Sequence, residues 1–393
     1  MDAVFSNPLI HATLFWVCLA LLFHTFLGYP LLVKALAGAK PRLHSPAPSG
    51  DAPTVAVIIA ARNEQERIVS RIENLLASHY PANRLSVILI SDGSTDRTAI
   101  NIQNARMDGV RVIERKKPSG KPTCLNVGVA ESDAELIVFA DARQRFDADT
   151  IPNLVRHFAD PSIGAVSGAL FIESAASSVG GGVDAYWKLE RVLRESEARW
   201  DSCIGCTGAV YAIRRRIYEE IPADTLIDDV EIPMRIAAKG YRVLYDVEAR
   251  AFDSQSLEPA RETIRKRRTL AGNYQMLFRH PGWLLPWRNR LWFQLISHKY
   301  LRLAAPFLLP ILLTANIALA KQPFYGWLLW PHGLFYALAF IGLVLPSRRS
   351  PLFSIPSGFV FLNLMSFRGL LHYLFTNPRA GWEAASKPPH STG

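Results

Sequence analysis

The sequence has little of what marks a secreted or a nucleic-acid-binding protein. Four cysteines occur in 393 residues, Cys18, Cys124, Cys203 and Cys206. They suggest no disulfide framework. Cys203 and Cys206 form a C-x-x-C, but a structural zinc site takes about four ligands and no second pair accompanies them. Both read as small packing residues near a glycine-rich turn. Acidic residues are in deficit, 34 Asp and Glu against 44 Lys and Arg, leaving a formal charge of +10. No nucleic-acid-binding motif goes with that excess, so nucleic acid is not an expected partner. The cations instead crowd the flanks of apolar runs, as Arg288, Arg290, Lys299, Arg302, Arg348 and Arg349 do. There they meet anionic lipid headgroups and orient the chain. Such a charge also attracts an anionic ligand.

Nothing basic precedes the first apolar run, about Pro8 to Leu36. That lack, and the length of the run, argue against a cleaved signal peptide, although Ala35-Leu36-Ala37 resembles a cleavage site. Residues 8–36 are long enough to cross a bilayer. Lys34, Lys40 and Arg42 follow, whereas Asp2 is the sole charged side chain before it. The positive-inside bias then puts the N-terminus outside and the next domain in the cytoplasm. Three further crossings are expected within 300–375, at about 300–320, 324–346 and 352–375. Arg348 and Arg349 mark a cytoplasmic loop, and the tail, 376–393, lies outside. Between soluble domain and crossings, 277–298 interleaves Trp283, Trp287, Trp292 and Phe293 with Arg288, Arg290, His280 and His298. That mixture suits an amphipathic helix in the headgroup layer; an ordinary buried helix is the plainer alternative.

A Pro/Ser/Gly linker, 41–53, leads to a soluble domain at 54–275. Strands are expected at Thr54–Ala60, Leu85–Ile90, Val110–Glu114 and Leu136–Ala140, alternating with helical patterns such as Glu64–Ser78. Alternation of this kind implies an α/β fold with a mainly parallel sheet, whose ligands gather at the carboxyl ends of the strands. Arg62-Asn63-Glu64, Asp92-Gly93-Ser94 and Asp141 each follow a strand. Each alone is ordinary turn chemistry; together on one edge they outline a site.

These segments resemble the family 2 glycosyltransferases of GT-A (Rossmann-like) fold, in their membrane-bound branch, over roughly residues 53–275. Val57 to Glu64 resembles the family's opening strand and P-x-x-N-E turn, with Ala60 where proline is usual; Ala61, Asn63 and Glu64 are thereby expected at the nucleotide. Ile90 to Asp96 resembles the D-D-G-S-x-D turn, which implies that Asp92 meets base or ribose and that Asp96 is structural. Gly120 to Asn126 resembles G-K-x-x-A-L-N, implying that Lys121 meets the diphosphate as a point charge.

Phe139 to Arg143 stands where the family has D-x-D, whose carboxylates hold a divalent cation, Mg²⁺ or Mn²⁺, on the diphosphate. Asp141 is kept as donor or metal ligand, and Arg143 replaces the second carboxylate; a guanidinium there suits phosphate directly. Asp147-Ala148-Asp149 has the same spelling, but it precedes a helical pattern and reads as a helix cap.

On the acceptor side, Cys206, Thr207 and Gly208 resemble the family's small-residue pocket loop. Ile227 to Glu231 resembles its E-D motif, which implies Asp229 as catalytic base with Asp228 lining the pocket or orienting it. Arg268 matches the arginine of Q-x-x-R-W and is expected at the diphosphate, but Thr269 replaces the tryptophan. The resemblance implies an inverting hexosyl- or N-acetylhexosaminyl-transferase that uses a nucleotide-sugar, UDP-sugar foremost. Its acceptor would be a lipid-linked sugar or growing envelope polysaccharide, and its place a bacterial inner membrane, with oligomers possible. The alternatives are a processive synthase that translocates its glycan, an inactive sugar-nucleotide-binding scaffold, and a nucleotidyltransferase.

Overall fold

The computed structural model describes residues 7–42, 44, 51–172, 180–253, 259–345 and 350–376, and for 180–187 and 259–262 the backbone alone. Expectations placed on residues 45–50, on Arg348 and Arg349 and on the tail from 377 lie outside the described residues.

Helix α1 (Pro8–Ala39) opens the chain. The Asn7 side chain accepts from the Leu9 amide at 2.9 Å, capping its first turn. The α/β domain follows with β1 (Val55–Ala61), α2 (Ile68–Leu76), β2 (Leu85–Asp92), α3 (Thr98–Ala105), β3 (Val110–Arg115), α4 (Lys121–Ala130) and β4 (Leu136–Ala140). Strands β1, β2 and β4 are apolar runs buried almost throughout, as strands covered on both faces must be. The second half adds β5 (Arg145–Phe146), α5 (Thr150–Val155), β6 (Ile163–Ile172), α6 (Gly180–Trp200), β7 (Val210–Arg214), α7 (Asp228–Ala238), β8 (Arg242–Asp253) and α8 (Pro259–Arg279).

One eight-stranded sheet results, ordered β3-β2-β1-β4-β7-β6-β8-β5. Neighbours β3, β2, β1 and β4 run parallel, as do β6 and β8, while β7 lies antiparallel between β4 and β6. The expected mainly parallel sheet is observed, on the GT-A plan. Two apolar cores fill its two faces, one around Ile58, Phe139 and Tyr211 and the other around Val57, Leu89 and Ile151.

Three helices end the described chain: α9 (Trp292–Ala318), α10 (Pro323–Val344) and α11 (Pro351–Phe375). With α1 they are the four described helices long and apolar enough to cross a membrane. Helix α10 turns Trp327, Trp330, Leu334 and Phe340 outward, which a lipid environment favours and water does not.

The single interfacial helix expected over 277–298 is not formed. Helix α8 stops at Arg279, Pro281–Leu284 make one 3₁₀ turn, and α9 starts at Trp292. Pro281 and Pro286 lack the amide protons a continuous helix needs. Asn289 stabilises the break instead, donating to the Trp283 carbonyl at 3.0 Å and accepting from the Leu291 amide at 2.9 Å.

Helix α8 joins the sheet domain to the C-terminal apolar helices. A Cβ at Gly369 of α11 would come within 2.7 Å of the Leu270 Cβ, and a Cβ at Gly272 within 2.6 Å of the Ile227 Cγ2. Gly369→Val should therefore cost about 1–3 kcal/mol of stability through overpacking, read as a lower unfolding midpoint in detergent. Gly333→Ala on α10, where a Cβ meets nothing within 4 Å, should leave the midpoint in place.

Candidate active site

The carboxyl ends of β1, β2 and β4 open on one edge, and the turns after them interlock. Asn63 takes a left-handed conformation, φ 57°, which asparagine tolerates better than most residues. Its Oδ1 accepts from the Thr95 amide at 2.9 Å. The Glu64 amide donates to Thr98 Oγ1 at 2.8 Å, and Glu64 also pairs with Arg67. Burial pushes the Glu64 carboxyl above its usual range. Ala61, the last residue of β1, is buried beside Ser91 in the sheet. Asp96 accepts from the Gln65 and Thr98 amides, the structural role expected of it.

Asp92 is 6% exposed and already engaged. One oxygen accepts from the Ser119 amide at 2.7 Å and the Ser119 hydroxyl at 2.9 Å, the other from the Gly120 amide at 2.8 Å. These bonds shape the loop that begins α4 and so aim Lys121, the next residue.

Lys121 Nζ lies 3.0 Å from Asp141 Oδ1 and 3.4 Å from Asp228 Oδ2. Burial disfavours its charge, but Asp141 and then Asp228 outweigh that and raise its pKa above the ordinary lysine value. Burial raises the Asp141 carboxyl, and Lys121, Arg143 and Arg268 more than reverse this, holding it below the usual range. Arg268 on α8 interacts electrostatically with Asp228, Asp141 and Asp229. Lys121, Asp141, Arg268, Asp228 and Asp229 are thus brought together from four elements.

Arg143 acts on Asp141 by charge alone, and its hydrogen bonds go to another carboxylate. Its Nε and Nη2 donate to Asp253 Oδ2 at 3.2 and 2.8 Å, and Gln144 donates to the same oxygen at 3.1 Å. The guanidinium expected to face phosphate is thereby neutralised by the carboxylate that ends β8. Asp147-Ala148-Asp149 belongs to a different surface: Asp149 makes no capping hydrogen bond from its side chain and meets His79 at 2.9 Å instead. The capping role given to it is corrected accordingly. For a divalent cation the donor set offers Asp141, already bound to Lys121, and the position of a second carboxylate is held by Arg143. Among the described residues no group of three or more His, Cys, Asp or Glu side chains is arranged to hold a metal ion. A two-carboxylate clamp does not fit these residues.

Asp228 and Asp229 open α7, where backbone amides favour anions. Burial, then the neighbouring Asp228, push the Asp229 carboxyl up to about 6, with Lys121, Arg194 and Lys299 pulling the other way. The Asp229 carbonyl accepts from the Cys206 amide at 2.7 Å. At Gly208 a Cβ would lie 3.1 Å from Asp229 Oδ2, so glycine keeps the space over that carboxylate open. Thr207 Oγ1 donates to the Gly168 carbonyl at 2.8 Å and accepts from Arg194 Nη1 at 3.1 Å. Cys206, expected to line the pocket, is 1% exposed and packs in the core; its backbone, not its thiol, serves the loop. Cys203 is buried likewise, its thiol donating to the Arg194 carbonyl.

Sequence reasoning missed Arg194 and Asp253. Arg194 sits four residues after Glu190 on α6 and bonds to it at 3.3 Å, a spacing that passes for ordinary helix pairing. Asp253 carried no local signal, being 110 residues from Arg143.

Comparison with known proteins places this geometry. Residues 56–221 match the profile of Glycosyl transferase family 2; the chain carries a family 2 glycosyltransferase domain there. A probable glycosyltransferase of Bacillus subtilis, YdaM, is 28% identical over 207 residues, 49% of each chain. A beta-monoglucosyldiacylglycerol synthase of a Nostoc species is 24% identical over 359 residues, covering 86% of this chain and 74% of that one. The match thus spans about half the length of the first relative and three-quarters of the second. In fold, the chain is similar to the mannosyltransferase PcManGT of Pyrobaculum calidifontis, solved with GDP-Man and Mn²⁺. The TM-score is 0.68 at 23% identity, covering 92% of this chain and 99% of that one.

Two outcomes are expected. Asp253 is buried and Arg143 partly so, so Arg143→Ala should destabilise the protein by on the order of 2–3 kcal/mol by stranding a buried carboxylate. Arg143→Ala with Asp253→Ala should recover much of that loss in a double-mutant cycle of unfolding midpoints. Should Asp229, whose carboxyl burial and Asp228 push up to about 6, be the base expected of it, kcat/KM should fall as pH drops through about 6, because a base acts only when ionised. The pH profile measured between pH 5 and 8 checks this.

Proposed function

We propose that the protein is an inverting transferase that moves a sugar from a nucleotide-sugar, UDP-sugar foremost, to a lipid-linked or envelope-polysaccharide acceptor at the membrane surface. The observation that carries this reading is the convergence of Lys121, Asp141 and Arg268 with the Asp228-Asp229 pair. A cationic half suits the donor diphosphate, and a carboxylate with its pKa near 6 suits a hydroxyl acceptor.

In this reading the turns after β1 and β2, with Asn63, Glu64 and Asp92, cradle the nucleoside. Lys121 and Arg268 lie against the diphosphate and offset the charge that builds on it as it leaves. Asp229 takes the proton of the acceptor hydroxyl while that oxygen bonds to the anomeric carbon. The bond from that carbon to the phosphate oxygen breaks, and the nucleoside diphosphate departs with its electron pair. One displacement inverts the anomeric centre, giving a β-linkage from an α-linked donor. A bound divalent cation would add positive charge at the diphosphate, with Asp141 as its one carboxylate partner here.

Lys34, Lys40 and Arg42 at the inner end of α1 support a cytoplasmic catalytic domain with both termini outside. A lipid acceptor is in keeping with the name of the Nostoc relative, a synthase of a glucosyl lipid. Thr269 in place of a stacking tryptophan favours single transfer over a processive synthase.

The test is nucleoside diphosphate release in nanodiscs from a panel of UDP- and GDP-sugars with lipid extract, with and without chelator. Release from one donor should drop at least about a thousandfold in Asp229→Asn, while donor binding persists. Equal release by that variant removes Asp229 as base; binding without any release points to a scaffold.

A further inference from the structure

Beside the proposed base lies a cluster of charges that the mechanism above does not use. Glu190 of α6 is 5% exposed and faces four cationic or imidazole groups. Arg194 lies 3.3 Å away on the same helix. From α9 come His298 at 3.0 Å, Arg302 at 3.1 Å and Lys299 at 4.0 Å. Two turns further along α6, the fully buried Glu197 accepts from His298 at 2.8 Å and from Tyr29 of α1 at 2.6 Å. Burying this many charges is costly, and nothing in the packing of the sheet requires them. Two of the three elements concerned, α1 and α9, are candidate membrane spans.

The cluster reaches the active site through Arg194. Its Nη1 donates to Thr207 Oγ1 at 3.1 Å, and the next residue, Gly208, is the one whose missing Cβ leaves room beside Asp229. The charged and titratable groups facing Asp229 can be assigned by element. Asp228 of α7 repels its charge. Lys121 of α4 and Arg268 of α8 attract it from the donor side. Tyr211 of β7 and Cys206 interact with it but are held neutral by burial. On the membrane side the attracting groups are Arg194 and Lys299. When donor diphosphate binds, Lys121 and Arg268 face a new anion. Arg194 and Lys299 are paired instead with Glu190.

We propose that Arg194 and Lys299 are positioning residues for the transfer, holding Asp229 in its ionised, proton-accepting form once Lys121 and Arg268 are committed to the donor, so that helix α9 takes part in the chemistry. Glu190 sets their strength by sharing their charge. This rests on the reading of Asp229 as base.

The experiment is the pH dependence of kcat, with donor saturating, for the full chain in nanodiscs. Lys299→Met and Arg194→Met each remove an attracting charge, so the acid limb should move up by roughly half a unit to one unit. Glu190→Gln removes the anion those cations share, so its limb should move down. Arg194→Lys keeps the charge and should return the limb to the wild-type position even where KM changes. Limbs that stay at the wild-type pH, or that move the same way in Lys299→Met and Glu190→Gln, overturn the proposal, because loss of structure alone has no reason to give opposite signs. Lys299→Met does not touch the Thr207 loop, so it decides the matter should Arg194→Met fail to fold. Asp229→Asn separates the two readings. If it retains activity, the base assignment has failed; if it is inactive while the limbs stay put, only the role of Arg194 and Lys299 has.

Discussion

The bridge from Lys121 to Asp141 and Asp228 is the contact on which the site depends. Asp141 follows a strand of the parallel half of the sheet, and Asp228 starts the helix that carries the proposed base. Those two carboxylates repel each other, and the repulsion is the stronger because Asp228 is buried away from the screening of bulk water. The ammonium between them makes their proximity tolerable. It is itself held in register by Asp92, which ties the loop just before α4 through three hydrogen bonds. The sequence of dependence runs from a strand end, through a backbone loop, to one lysine, and from there to both halves of the pocket.

The same arrangement lets one carboxylate suit the role of the proposed base while another anchors the lysine. Asp141 sits beside Lys121, Arg143 and Arg268 and is held ionised. Asp229 sits beside Asp228 and under cover, and its pKa rises to about 6. Equivalent chemical groups are driven apart in proton affinity by their surroundings alone.

Much of this was legible in the sequence, for reasons that are local. Strands β1, β2 and β4 are short apolar runs closed by turn residues, and the turns at Asn63, Asp92 and Gly120 lie within a few residues of the elements they serve. Helices α1, α10 and α11 followed from length and hydropathy, within a few residues of the expected bounds. What was illegible depends on partners distant in sequence. The direction of Arg143 is set by Asp253 across the sheet, and no reading of Ala140 to Gln144 contains that information. Arg194 was invisible because a glutamate four residues earlier gives it an unremarkable explanation. The supposed interfacial helix failed for a local reason: aromatic and cationic spacing outweighed Pro281 and Pro286 in the reading, whereas backbone chemistry outweighed spacing in the fold.

Helix α8 has glycine-tight contact with Ile227 on one side and with α11 on the other, and the two touching positions, Leu270 and Gly272, are only two residues apart. A part gripped so closely from both sides has no play. The catalytic half is therefore not a detachable module that could be grafted onto another anchor and keep its activity. Any exchange of α11 must carry with it the surface that seats α8, and in descent the two should drift as one inherited unit.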